Sequence, residues 1–137
     1  MKKIHLCVKE QPVYQKRHRH FNNRVYDPSS KDKLRVKALL FKHVKKFFTD
    51  KPAAVIINFK IQRPKSHYRT GKNSHLLKKN APVFHTKKPD IDNFVKFYLD
   101  VLTALKVWND DSQVINLSAS KQYTEKDPRT EITIYKI

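Results

Sequence analysis

The chain has 137 residues, 39% of them hydrophobic, and carries 30 Lys and Arg against 12 Asp and Glu, a net charge of +18. That is the size of one domain able to bury its own core, so a single domain over residues 1–137 is expected, and the apolar content excludes a disordered basic tail. The lone Cys7 excludes a disulfide framework, and the longest purely apolar run, Ala53–Ile57, is far too short to span a membrane. The opening Met-Lys-Lys runs into an alternating stretch and not an apolar leader, which points to an intracellular protein. Charge of this size makes nucleic acid the leading partner, because each Lys or Arg laid on a phosphate releases condensed counterion. An anionic membrane surface is the weaker partner, since no long stretch sets Lys on one face against Trp or Leu on the other.

Ile4, Leu6 and Val8 alternate with His5, Cys7 and Lys9, the pattern of a half-buried strand. Residues 10–29 lose that period and read as a long loop or hairpin. There Lys16, Arg17, Arg19 and Arg24 interleave with Tyr14, Phe21 and Tyr26, equally readable as a phosphate- and base-contacting surface or as a solvated loop with aromatics tucked inward. Asp27-Pro28-Ser29-Ser30 leads into a helix ending near Thr49, with Leu34, Ala38, Phe41, Val44/Lys45 and Phe48 as its apolar face. Val55, Ile57, Phe59 and Ile61 alternate as a second strand. Residues 62–88, with Lys65, Arg69, Lys72, Lys87 and Lys88, show no apolar period and are expected to order on a ligand.

A helix over residues 90–105 follows, apolar around most of its circumference and so expected in the core or in a subunit interface. Strands over 114–122 and 130–137, joined by the turn at 125–129, are expected to close as a hairpin. The expected fold is α+β, a two-layer domain with two helices on a small mixed sheet and long basic loops.

The acids are unevenly spread. Residues 1–89 hold 24 basic and 4 acidic side chains, while Asp90, Asp92, Asp100, Asp110 and Asp111 fall within the next 22 residues. Like charges crowd at a cost that a divalent cation offsets, and Mg²⁺ takes oxygen ligands. Asp90 placed just before the helix and Asp92 at its N-cap can point the same way, with Asp110-Asp111 turning back towards them. Lys96, one turn after Asp92, lies on the same face, where it can steady a phosphate or hold a carboxylate. Each residue also has an ordinary reading: Asp92 as a cap, Asp110-Asp111 as a loop, Lys96 as a surface lysine, and Asp100 as the partner of Lys96 at i, i+4, the reading preferred for Asp100. The histidines fit no zinc spacing and read as phosphate contacts or surface.

Lys88-Pro89-Asp90-x-Asp92-Asn93-x-x-Lys96-x-x-x-Asp100-x-Leu102, followed by Asp110-Asp111-x-Gln113-Val114, resembles the signature of the RusA-type Holliday junction resolvases. Arg63-Pro64-Lys65-Ser66-His67-Tyr68-x-Thr70-Gly71 with His85-Thr86 is similar to the segment ahead of that signature. The resemblance implies a homodimer that nicks opposite strands of a four-way DNA junction, with Asp90, Asp92 and Asp111 binding Mg²⁺ (or Mn²⁺ in its place) and Lys96 catalytic. It implies no small-molecule cofactor and no membrane partner. Asp110 and Asn93 would support the site, and Lys16, Arg17, Arg19, Arg24, Lys65, Arg69, Lys72, Lys87 and Lys88 would hold DNA. A nuclease acting on flaps or forks, and a basic junction- or RNA-binding protein without catalysis, are the competing readings. Where many members carry Asp-Ala-Leu-Asn-Gly, this chain has Asp100-Val101-Leu102-Thr103-Ala104, which predicts a helix running slightly further.

Overall fold

The computed structural model describes residues 2–137. Strand alternation is realised directly: β1 (Lys3–Val8) buries Ile4, Leu6 and Val8 and leaves Lys3, His5 and Cys7 outside. A short ribbon follows, β2 (Arg19–Phe21) and β3 (Arg24–Tyr26), then α1 (Ser30–Val44) and β4 (Ala53–Gln62). The chain continues through α2 (Ile91–Ala104), β5 (Val114–Thr124) and β6 (Arg129–Lys136). The main sheet runs β1-β6-β4-β5, with β4 antiparallel to β6 and parallel to β5. Both helices pack on one face of it, α1 towards β1 and α2 towards β5, which is the expected two-layer α+β arrangement.

The core lies between these layers. Val55, Ile57, Phe59 and Ile61 of β4 and Ile132 and Ile134 of β6 meet Phe94, Phe97, Tyr98, Val101 and Leu102 of α2. Phe59 stacks on Phe94 at 5.0 Å between ring centroids. Each such side chain contributes about 1.5–3 kcal/mol by leaving water. Trp108, wholly buried, donates its indole N–H to Thr103 Oγ1 at 2.8 Å and so fixes the turn after α2.

Four expectations need correction. First, β5 and β6 are not a hairpin: β4 lies between them, and the turn at residues 125–128 arches over its end. Second, α1 ends at Val44, and it buries Val36, Leu40, Val44 and, just beyond it, Phe47; Leu34, Ala38, Phe41 and Phe48 face solvent. Both stripes repeat at helical spacing, so periodicity could not choose between them. Third, residues 62–88 have structure of their own. Short 3₁₀ turns at Lys65–His67 and Gly71–Asn73, a Tyr68–Leu77 bridge and the Lys78 N–H on the His67 carbonyl organise them. Fourth, Asp90 takes the N-cap position of α2, with Asp92 inside its first turn, and the helix stops at Ala104, since Lys106 takes a left-handed φ of 61°.

Candidate active site and basic cleft

Asp90 is the last extended residue before α2, with φ −68° and ψ 151°, and its carboxylate makes no capping hydrogen bond. Helix geometry then sets Asp92 and Lys96 one turn apart on the same side. Across a cleft of about 460 Å³ lies Asp111, at the start of a 3₁₀ turn leading into β5. Asp92, Lys96 and Asp111 therefore line one cleft, walled by Ile91, Val95, Leu99, Leu117 and Ala119. Asp90 borders the adjoining cleft, which has a volume of about 900 Å³ and is lined by Lys16, Arg17, Arg19, Lys88 and Asn93. Among the described residues, no three His, Cys, Asp or Glu side chains form a ready-made metal-binding group. The donor set facing the first cleft is two carboxylates of opposite segments, all-oxygen chemistry suited to a hard divalent cation. Mg²⁺ commonly takes only one or two carboxylates and fills its shell with water and phosphate.

Asp110 and Asp111 are distinguished by geometry. The Asp110 carboxylate accepts the Ser112 N–H at 3.1 Å, and Gln113 Oε1 accepts the Asp110 N–H at 3.2 Å, a closed capping box. The hydrogen bonds from Ser112 hold the Asp110 carboxyl below its ordinary range. Gln113 also donates to the carbonyls of Thr49 and Lys51 at 3.1 and 3.0 Å, tying the Asp110-Asp111 turn to the body. Asp100 is shared: it accepts from Lys33 of α1 at 3.1 Å and sits 3.7 Å from Lys96. The preferred pairing with Lys96 is thus present but secondary to that with Lys33.

Lys121 is a residue that the sequence reading passed over. Its ammonium donates to the carbonyls of Lys87 and Pro89 at 3.0 and 2.8 Å, immediately ahead of Asp90. Its own carbonyl accepts the His85 N–H at 3.1 Å, while Tyr123 N–H bonds Val83 at 2.9 Å, so residues 83–85 lie along the outer edge of β5. Lys121 pairs with Phe59 in register, on the inward side of the sheet. His85 is likewise no surface group. Its ring is buried against Tyr123, and both burial and the Lys121 charge lower its proton affinity. Arg63 lies over the same Tyr123 ring, 5.5 Å from its centroid.

The basic residues divide. Lys16, Arg17, Arg19 and Lys88 border Asp90 in one cleft, with Asn93, whose carbonyl accepts the Gln15 N–H at 2.9 Å. Arg24 stands on the ribbon, and Lys65, Lys72 and Lys87 are exposed. Arg69 is exposed too, but its Nε is used on the Leu77 carbonyl at 3.2 Å.

The fold and site define a strongly basic α+β domain with two carboxylates and a lysine in a cleft at a helix N-terminus. The match is specific: the model of the family described as Endodeoxyribonuclease RusA covers residues 8–135, and the chain belongs to that family. It is 48% identical over 52 residues to the uncharacterized protein YqaN of Bacillus subtilis (strain 168) and 42% identical over 52 residues to the crossover junction endodeoxyribonuclease rusA of Lactococcus phage r1t. Each alignment takes in 38% of this chain, and 35% and 39% of the respective relatives.

Proposed function

We propose that this protein is a divalent-metal-dependent endodeoxyribonuclease that resolves four-way DNA junctions, as a homodimer, in recombination and repair inside the cell. The observation that carries this reading is the convergence of Asp92, Lys96 and Asp111 on one cleft beside the basic cleft bordered by Asp90. Asp92 and Asp111 would hold Mg²⁺ or Mn²⁺, with Asp90 at the rim, and the bound ion would supply Lewis-acid polarisation of a phosphodiester and a more acidic water. Lys96 supplies a positive charge where charge develops on the phosphate. The N-terminus of α2 adds the attraction of its free N–H groups for the same anion. Lys16, Arg17, Arg19, Arg24, Lys65, Arg69, Lys72, Lys87 and Lys88 would grip the arms, with affinity falling steeply as salt rises.

A second copy fits the bare part of β5. Residues 83–85 cover only the C-terminal half of its outer edge, and Ile115 is exposed at 64%. Unpaired strand edges template pairing with another chain. A two-fold dimer would carry two centres, as paired nicks require. The test is incubation of purified protein with labelled four-way, flap and plain duplex DNA, with and without Mg²⁺. The proposal predicts paired cuts in the four-way substrate that disappear on chelation. Equal cutting of all three substrates, or none, would overturn it, and preferential flap cutting would move it to flap or fork processing.

A further inference from the structure

The β2–β3 ribbon stands away from the core, and its six strand residues are all exposed. Asn22 and Asn23, with φ of 49° and 62°, close it as a two-residue turn whose twist suits a hairpin. Its register pairs Arg19 with Tyr26 and Phe21 with Arg24, and cross-strand partners share a face. One face therefore presents Arg19, Phe21, Arg24 and Tyr26 in alternation, two cations and two aromatic rings. Phe21, at the tip, is 68% exposed. A two-stranded ribbon is marginal alone in water, and a Phe held at its tip gains nothing for folding.

The ribbon is nevertheless firmly rooted. Asp27 Oδ1 accepts from Gln15 Nε2 at 2.8 Å and from Ser29 N–H at 2.9 Å, and Lys33 Nζ donates to Oδ2 at 2.7 Å. Lys16 N–H donates to Ser29 Oγ at 2.9 Å, so both roots are clamped together. Gln15 then joins this clamp to the Asn93 carbonyl at 2.9 Å, in the first turn of the helix that carries Asp92. The basic cleft of about 900 Å³ runs from the ribbon root, at Arg17 and Arg19, to Asp90.

We infer that the ribbon is a branch-reading finger: Phe21, backed by Tyr26, stacks on a nucleobase left unstacked at a DNA branch point, while Arg19 and Arg24 take the flanking phosphates. This rests on the nuclease reading and names what that site would recognise, an unstacked base in place of any sequence. Aromatic rings suit the task because every base offers a π-face, whereas an intact duplex offers none along its sides. The clamp converts that contact into placement, since the strand next to the stacked base is directed along the basic cleft to the acidic centre.

The test uses the full chain in chelator with four-way junctions carrying 2-aminopurine either at the crossover or in mid-arm. The finger predicts a fluorescence change at the crossover alone, lost in Phe21→Ala and kept in Phe21→Trp, whose indole emission is itself quenched by branched but not blunt DNA. In Mg²⁺, Phe21→Ala should lower the preference for branched over duplex DNA about tenfold or more, while plain duplex binding stays near wild type. If the wild type binds no branched DNA, the nuclease reading fails and the finger with it. If the wild type cuts branched DNA and Phe21→Ala does so with undiminished preference, the finger alone is wrong.

Discussion

Asp90 and Asp110 each precede a helical turn, yet their carboxylates are committed differently. Asp110 closes a capping box with Gln113, whereas Asp90 makes no cap bond and faces the basic cleft. Asn caps about as well as Asp, so Asp110→Asn should leave single-turnover cleavage within about threefold of wild type. Asp111→Asn, which removes a carboxylate from the cleft, should lower it on the order of a hundredfold or more. Lys121 acts at one remove, by holding the backbone that delivers Asp90. Lys121→Met should cut cleavage about 10- to 100-fold while junction binding, measured by gel shift, changes little, and Lys121→Arg should recover part of the loss. That Asp92 and Lys96 share a side was legible from sequence because helix periodicity sets them one turn apart; the direction of Asp90, in extended backbone ahead of the helix, was not, and it borders a different cleft from Asp92. Nor was Lys121 legible, because its meaning depends on a loop from elsewhere in the chain lying against its strand edge.

At the scale of elements, the ribbon root is held by charge as well as by hydrogen bonds. Burial opposes the charge on Asp27, but hydrogen bonds from Lys33, Ser29 and Gln15 outweigh it and bring its pKa down to about 2. A carboxylate lowered in the folded state stabilises that state above its unfolded pKa, and the benefit is lost as pH falls through the folded value. The root should therefore lose about 1–2 kcal/mol between roughly pH 4 and pH 2, allowing for its partial exposure. Denaturant titrations of wild type and Asp27→Asn should show a stability gap that is full near neutrality and closes over that range. A gap that is constant with pH would contradict this account of the root. The elements themselves were readable from alternation and helical period. Their neighbours were less so: local turn signals at residues 125–129 could not show that β4 intervenes between β5 and β6, and two equally periodic stripes on α1 left its inner face undetermined.

The whole molecule combines a field and a focus. Twenty-four basic residues precede Asp90 in the chain, the acids of the centre come from two segments, and β5, paired with β4 along its inner edge, is uncovered over half of its outer edge. Charge at Ile115 should oppose pairing across that edge. The change Ile115→Glu should convert a sedimenting dimer to monomer while circular dichroism stays native; a wild type that sediments as monomer at all concentrations would remove the dimer from the account. The central claim is narrower still, that Asp92 and Asp111, from separate parts of the chain, serve one cation. Mn²⁺ titration followed by electron paramagnetic resonance tests it directly in wild type, Asp92→Asn, Asp111→Asn and the double variant. Two carboxylates on one ion should be coupled, so each single change should weaken binding about tenfold or more and the double change should cost less than the sum of the two. Binding by Asp111→Asn indistinguishable from wild type would show that the two aspartates do not share an ion.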